Sequence, residues 1–286
     1  MDEVNERGET LAEFLENYDE TLYRRPSNTV DMILMTVSDG FLKLLLIRRK
    51  DHPFIYDWAL PGGFVNFDED IDTAVERELK EETSMDEHNY FRQLYTFGAA
   101  DRDPRTRVIS TAYLSMTPES NIRHAKAGDD AADTGWFTLR KVTEHMDETG
   151  RVSVLTLDED EKDIHIAYRI TDKAMDNYIE TRSELLEVSG AKLAADHIKA
   201  VNMAIDQLRN RAGITGILFN LLPREFTLRE IQNVYEAVIG RKVDTGNFRR
   251  DIKKMLKATG RTKKAGGKRA ATYTFNPMYE YLEENL

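Results

Sequence analysis

The amino-acid sequence predicts a mixed α/β (α+β) fold in which one mixed β-sheet is followed by a winged helix-turn-helix. Three features of its 286 residues point there. A single strong amphipathic helix is embedded among β-rich runs. The texture changes beyond residue 140, toward highly charged stretches. Residues 213–286 then read as three short helices followed by a β-hairpin.

The elements follow in order. After a helical candidate at 9–18, TVDMILMTV and FLKLLLIRR flank Ser38-Asp39-Gly40, and two β-rich runs around Asp-Gly make a hairpin. Further strands are expected at 58–60, 94–98, 108–116 and 135–139, with the helix at 71–83 between them. SVLTL and IHIAYRI around DEDEKD form a second hairpin, and 172–188 and 193–211 read as helices. In the latter, Ala195, Ile198, Val201, Ile205 and Leu208 keep helical spacing. In the tail, 214–222 is a short apolar helix ended by Pro223. Thr227-Leu-Arg-Glu230 is a capping box opening a helix that Gly240 stops, and Asp244 or Thr245 caps a third helix to about Leu256. TGRTKKAGGKRAATYTF is a basic, glycine-rich loop returning into an alternating strand. The expected domains are 1–190, with an insertion near 140–190, a linker helix at 191–212, and a winged helix at 213–286.

Composition narrows the chemistry. A net charge of -11 excludes a surface built entirely for nucleic acid. With no cysteine, metal ligation falls to oxygen and imidazole, which suits hard cations. No apolar run approaches the roughly 20 residues of a membrane span, and the acidic MDEVNERGE start lacks the order of a signal peptide. A cytoplasmic protein without a membrane partner is expected.

The helix at 71–83 is the informative feature. At about 100° per residue, Ile71, Ala74, Val75, Glu81, Glu82 and Met85 fall within about 60° of Glu78, and Thr73, Glu76 and Lys80 lie opposite. The apolar stripe of the first turns is thus continued by three carboxylates. Carboxylates crowded on an inward face repel and lose hydration, and a divalent cation is the simplest compensation. Arg77 is four residues from Glu81 and can reach back toward Glu69. Ahead of the helix, Pro61-Gly62-Gly63 permits the close backbone approach that a phosphate-wrapping loop needs.

The spacing Gly63, Glu69 and Arg77-Glu78-Leu79-Lys80-Glu81-Glu82 through Met85 resembles the Nudix box, G-x5-E-x7-R-E-U-x-E-E-x-G-U with U apolar. Ser84 departs from the box's closing glycine. The resemblance implies the Nudix α/β/α sandwich, Glu78, Glu81 and Glu82 as ligands of Mg²⁺ or Mn²⁺, and Glu69 and Arg77 as their supports. The implied reaction is attack of water on a phosphorus of an X-linked nucleoside diphosphate. LYTFGAADRDPRTRVISTAYLSM resembles Nudix proteins acting on ADP-ribose. Its Arg102, Asp103, Arg105 and Arg107 either contact phosphate or ribose or form a solvated turn closed by an Asp–Arg pair. Asp129 and Asp130 supply a ligand or general base, or cap a turn.

LAADH, LLPREFTLREIQNVYEAVIGR, NFRR and GGKRAATYTF resemble the C-terminal winged helix of Nudix-related regulators, including repressors of NAD metabolism. His197 in LAADH reads as a helix-packing residue. From Arg241 to Phe275 twelve Lys/Arg face Asp244 and Asp251, so 12 − 2 = +10 in a chain of -11. DNA contacts are expected from Asn247, Arg249, Arg250, Lys253, Lys254, Lys268 and Arg269, although a winged helix also serves as a protein–protein module. Two readings follow: a Mg²⁺-dependent hydrolase of ADP-ribose or a relative, and an ADP-ribose-sensing regulator acting as a homodimer on a two-fold operator.

Overall fold

The computed structural model describes residues 3–83, 90–122, 131–186, 190–265 and 267–279. A short helix α1 (Leu11–Glu16) precedes β1 (Ser27–Ser38) and β2 (Phe41–Arg49), the expected hairpin, whose turn puts Asp39 and Gly40 at φ 53° and 79°. There follow β3 (Trp58–Ala59), β4 (Gly62–Phe64), α2 (Ile71–Thr83), β5 (Tyr90–Phe97), β6 (Val108–Met116) and a short α3 (Glu119–Ile122). Strands β7 (Ala131–Asp147), β8 (Gly150–Glu159), β9 (Ile164–Ala174) and β10 (Ile179–Leu186) form an antiparallel meander.

All ten strands join one sheet in the order β10-β9-β8-β7-β2-β1-β6-β5, with β3 on β2 and β4 on β1. The β1–β6 pair is parallel and the rest antiparallel, so the sheet is mixed as expected. Central β1 is covered on both faces. Val30, Met32 and Leu34 pack with Ala74, Val75 and Leu79 of α2, whereas Ile33, Met35 and Val37 face a second core on the other side. That core contains Ile198, Val201, Ile205 and Leu208 of α4 (His197–Arg211) and continues without a break into the tail.

The tail runs from a 3-10 turn (Gly216–Leu221) through α5 (Leu228–Ile239), α6 (Thr245–Ile252) and a further 3-10 turn (Lys253–Met255) to the hairpin of β11 (Leu256–Ala265) and β12 (Lys268–Phe275). The capping box at Thr227 and Glu230 forms, Gly240 ends α5 at φ 74°, and Asp244 caps α6 by accepting from the Asn247 N–H.

Two expectations change. The stretch 172–188 is rich in helix formers, yet 179–186 is strand β10, because every residue there finds a register partner on β9 and Thr181 donates to Asp172. Cross-strand pairing overrides propensity at a sheet edge. Ala195 precedes α4 and sits at φ 46°, so it belongs to the turn before the helix.

Candidate functional site

Helix α2 and strand β4 build one wall of a cleft of about 1000 Å³. Gly62 and Gly63 pair with Asp31 and Val30 of β1, so they form a strand rather than a free loop. Gly62 needs to be glycine, and Gly63 leaves the space that the Glu78 carboxylate fills. Gly62 lies at φ 154°, and a Cβ there would come within 2.0 Å of the Val30 carbonyl oxygen; at Gly63 it would come within 2.1 Å of Glu78 Oε1. The Glu78 carboxylate therefore lies directly over the Gly63 backbone.

Arg77 organises the carboxylates. Its Nη2 and Nε donate to Glu69 at 2.8 and 3.1 Å, its Nη1 to Glu78 at 2.8 Å and Glu81 at 3.0 Å, and its Nη2 also to the Phe64 carbonyl at 3.0 Å. These five bonds use all the N–H donors of a guanidinium. The hydrogen bond from Arg77 holds Glu69 down at about 2, and its carboxylates raise Arg77 in turn. Burial pushes Glu78 above the usual carboxylate range, with Arg77 pulling the other way. Glu69, Glu78 and Glu81 against Arg77 sum to −3 + 1 = −2, a charge that one divalent cation would neutralise.

The structure revises the inward stripe. Ala74, Val75, Glu78 and Leu79 are buried, whereas Ile71 is 43% exposed and the Glu81 side chain 59% exposed. The buried face is centred closer to Leu79 than Glu78 alone suggests, so Glu81 stands at the mouth of the cleft. The side chain of Glu82, and Ser84, Met85, Asp129 and Asp130, lie outside the described residues. Among the described residues no three His, Asp or Glu converge tightly enough to hold a metal by themselves.

The charged loop divides in two. Asp103 accepts from the Arg105 guanidinium at 2.8 Å and from its backbone N–H at 2.9 Å, the self-closed turn foreseen as an alternative. Both still line the cleft, and the Arg105 guanidinium stacks 5.5 Å from the Phe64 ring centre. Arg107 is exposed and outside the cleft lining. Arg102 is the buried member, its side chain 6% exposed, and it donates to Asp196 at 2.8 Å with Asp31 at 3.6 Å. Asp31 also accepts from Ser110, and His197 Nε2 lies 3.8 Å away. His197 Nδ1 accepts from the Leu60 N–H at 3.0 Å, and burial lowers its basicity, so the neutral ring carries its proton on Nε2.

In the tail, Asn247, Arg249, Arg250, Lys253, Lys254, Lys268 and Arg269 are all exposed, on α6, the turn after it and the start of β12. Of these, Arg250 pairs with Asp251 and Lys254 lies over the Tyr279 ring, and three other cations of the basic run are held by carboxylates of the tail. Lys242 bonds Glu236 at 2.7 Å, Lys263 bonds Glu230 at 2.8 Å, and Arg261 pairs with Glu225, which fastens the hairpin to the body of the tail.

Comparison with known proteins fits both ends. Residues 26–157 match the NUDIX domain model and 218–275 match the NrtR DNA-binding winged helix domain. An ADP-ribose pyrophosphatase from Methanocaldococcus jannaschii is 39% identical over 121 residues, 42% of this chain and 67% of that protein. The chain belongs to the Nudix family. An ADPR responsive transcriptional repressor, NtrR, from Acinetobacter baylyi is 28% identical over 270 residues, 92% of this chain and 87% of that one. The crystal structure of Shewanella oneidensis NrtR complexed with a 27mer DNA superposes with a TM-score of 0.61 at 26% identity, covering 88% of this chain and 95% of that one. The Nudix domain here thus carries an NrtR-type winged helix, as the box and the basic tail together implied.

Sequence reasoning missed the polar cluster of Asp31, Ser110, Asp196 and His197. Its signal was a lone carboxylate in the apolar run TVDMILMTV, on a strand otherwise buried on both faces.

Proposed function

We propose that the cleft binds ADP-ribose or a related nucleoside diphosphate derivative and hydrolyses its pyrophosphate with a divalent cation, and that the winged helix of a homodimer binds operator DNA. The carrying observation is the Arg77 cluster, three carboxylates on one guanidinium with a net charge of −2, beside a glycine strand over which the Glu78 carboxylate lies. The donor set is carboxylate oxygen in a chain without thiols, which fits Mg²⁺ or Mn²⁺. Glu78 and Glu81, together with Glu82, would hold it. Such an ion lowers the pKa of bound water and neutralises pyrophosphate charge. The chain's own contribution is orientation. Arg77 locks Glu69, Glu78 and Glu81 in one geometry, and the β4 glycines bring backbone close to the ligand. Arg102, Asp103 and Arg105 face the diphosphate and ribose.

Regulation is favoured by the coverage of the whole repressor-like chain and by the exposed cations of α6 and the hairpin. Residues 1–190, 191–212 and 213–286 then act as ligand-binding domain, connecting helix and DNA-binding domain. Purified protein with Mg²⁺ is expected to release AMP from ADP-ribose, and Glu78→Gln to lower the rate at least about 100-fold. Absence of turnover across a panel of nucleoside diphosphate derivatives would sink the hydrolase, while binding of ADP-ribose with an effect on DNA affinity would leave the regulator standing.

A further inference from the structure

Of the four α-helix starts whose caps are described, three follow one pattern and one departs from it. Thr10, Thr227 and Asp244 precede α1, α5 and α6 with extended backbones, ψ 165°, 162° and 121°, and each side chain accepts a backbone N–H of its own helix. Asp196, before α4, is as good a capping residue by type. Yet its ψ is 21° and its carboxylate makes no cap bond. The carboxylate is held by Arg102 at 2.8 Å instead, on a guanidinium that lines the cleft. The preceding Ala195 is a non-glycine residue at φ 46°, a conformation that costs about 1–2 kcal/mol. Ala194, Ala195 and His197 themselves form part of the cleft wall.

The Asp196 carboxylate thus has two competing places, on Arg102 and at the first turn of α4, where the His197 N–H now bonds the Ala194 carbonyl and the Lys199 N–H bonds the Asp196 carbonyl at 2.9 Å. Resting on the reading of the cleft as an ADP-ribose site, we propose that Arg102 and Asp196 are a latch that reports occupancy of the cleft to the winged helix. A diphosphate in the cleft offers Arg102 a better-placed anion, because guanidinium groups bind phosphate oxygens in the same bidentate fork as carboxylates. Asp196 is then released to cap α4. Capping requires an extended backbone at 196, as at the three capped starts.

The far end of α4 carries the change onward. Arg209 Nε donates to the Val238 carbonyl at the end of α5 and Nη1 to the Lys141 carbonyl of β7, both at 2.9 Å. Midway, Asp206 and Asn202 accept from Lys141, and Asp206 also accepts from Arg151 of β8. The meander is therefore the surface against which α4 is seated, and α5 moves with it. The switching element is discrete, since Asp196 has one carboxylate and two incompatible places for it.

Asp196→Asn tests the latch in the full chain. Asparagine caps as well as aspartate but cannot hold Arg102 as an ion pair. By calorimetry the variant is expected to bind ADP-ribose about five- to tenfold more tightly, because Arg102 no longer has to leave a partner. By hydrogen exchange, the first-turn amides of α4 should be protected in the ligand-free variant to the level of ADP-ribose-bound wild type. On a duplex from the chain's own upstream region, the variant without ligand should bind as liganded wild type does, and the effect of ADP-ribose should shrink to under about twofold. Wild-type ADP-ribose affinity in the variant, or no change in α4 exchange when wild type takes up ADP-ribose, overturns the latch alone. Failure of wild type to bind ADP-ribose overturns the site reading and the latch with it.

Discussion

The two charged regions of this molecule use charge in opposite ways. In the cleft, three carboxylates converge on one guanidinium whose donors are all spent, with Glu78 buried and the geometry fixed by a glycine strand. In the tail, cations stand exposed on α6 and the hairpin. Charges in a desolvated, fixed arrangement act over ångströms and respond to the displacement of one atom. Exposed cations act as a sum and are screened by salt. The cleft should therefore fail sharply when one contact is disturbed, and the tail should weaken in steps.

After the loss of the Glu78 carboxylate itself, the sharpest effect is expected at Gly63. A methyl group there would come within 2.1 Å of Glu78 Oε1 and 2.6 Å of its Cδ. The carboxylate must turn away, taking its bond to Arg77 with it. Gly63→Ala should lower metal-dependent activity and Mn²⁺ affinity about 10–100-fold, the usual cost of disordering a ligand's support. Titration of Mn²⁺ by calorimetry reads this directly, and wild-type affinity in Gly63→Ala would remove Glu78 from the ligand set.

A smaller, additive effect is expected in the tail. Replacing both Arg249 and Lys253 by alanine should reduce the slope of log affinity against log salt by about 1.8, two phosphate contacts at about 0.9 each. Arg261→Ala is the contrast within the same basic run. Its guanidinium is engaged by Glu225, so the slope should stay as in wild type. Fluorescence anisotropy on duplex DNA at several salt concentrations separates the two. A slope unchanged in the double variant would make the winged helix a protein-binding module.

What was legible in the sequence was what local physics decides. The Asp39-Gly40 turn, helix α2, the Thr227 capping box and the Gly240 stop are each set by residues within one turn of each other, and each is present. Strand β10 was illegible because its partner β9 supplies the preference. The helical periodicity of α2 ordered its residues around the axis correctly, but not which angle meets the sheet, so Glu81 was placed inward when it stands at the cleft mouth. The loop left Arg102 between a phosphate or ribose contact and a solvated turn; its pairing with Asp196, 94 residues away, has no local trace.

The smallest effect sharpens the comparison between helix starts. Asp244 accepts from the Asn247 N–H at 2.8 Å at the head of α6, the helix that presents Arg249 and Arg250. Asp244→Ala removes that acceptor and should cost about 1 kcal/mol, while Asp244→Asn should cost almost nothing, because asparagine caps equally well. In hydrogen exchange this is about a fivefold loss of protection in the first turn of α6, with the α2 amides unaffected. Asp196→Asn, by contrast, should add protection to α4. The same substitution before two helices would then be neutral where aspartate already caps and stabilising where Arg102 has drawn it away, a difference that no account based on helix propensity alone reproduces.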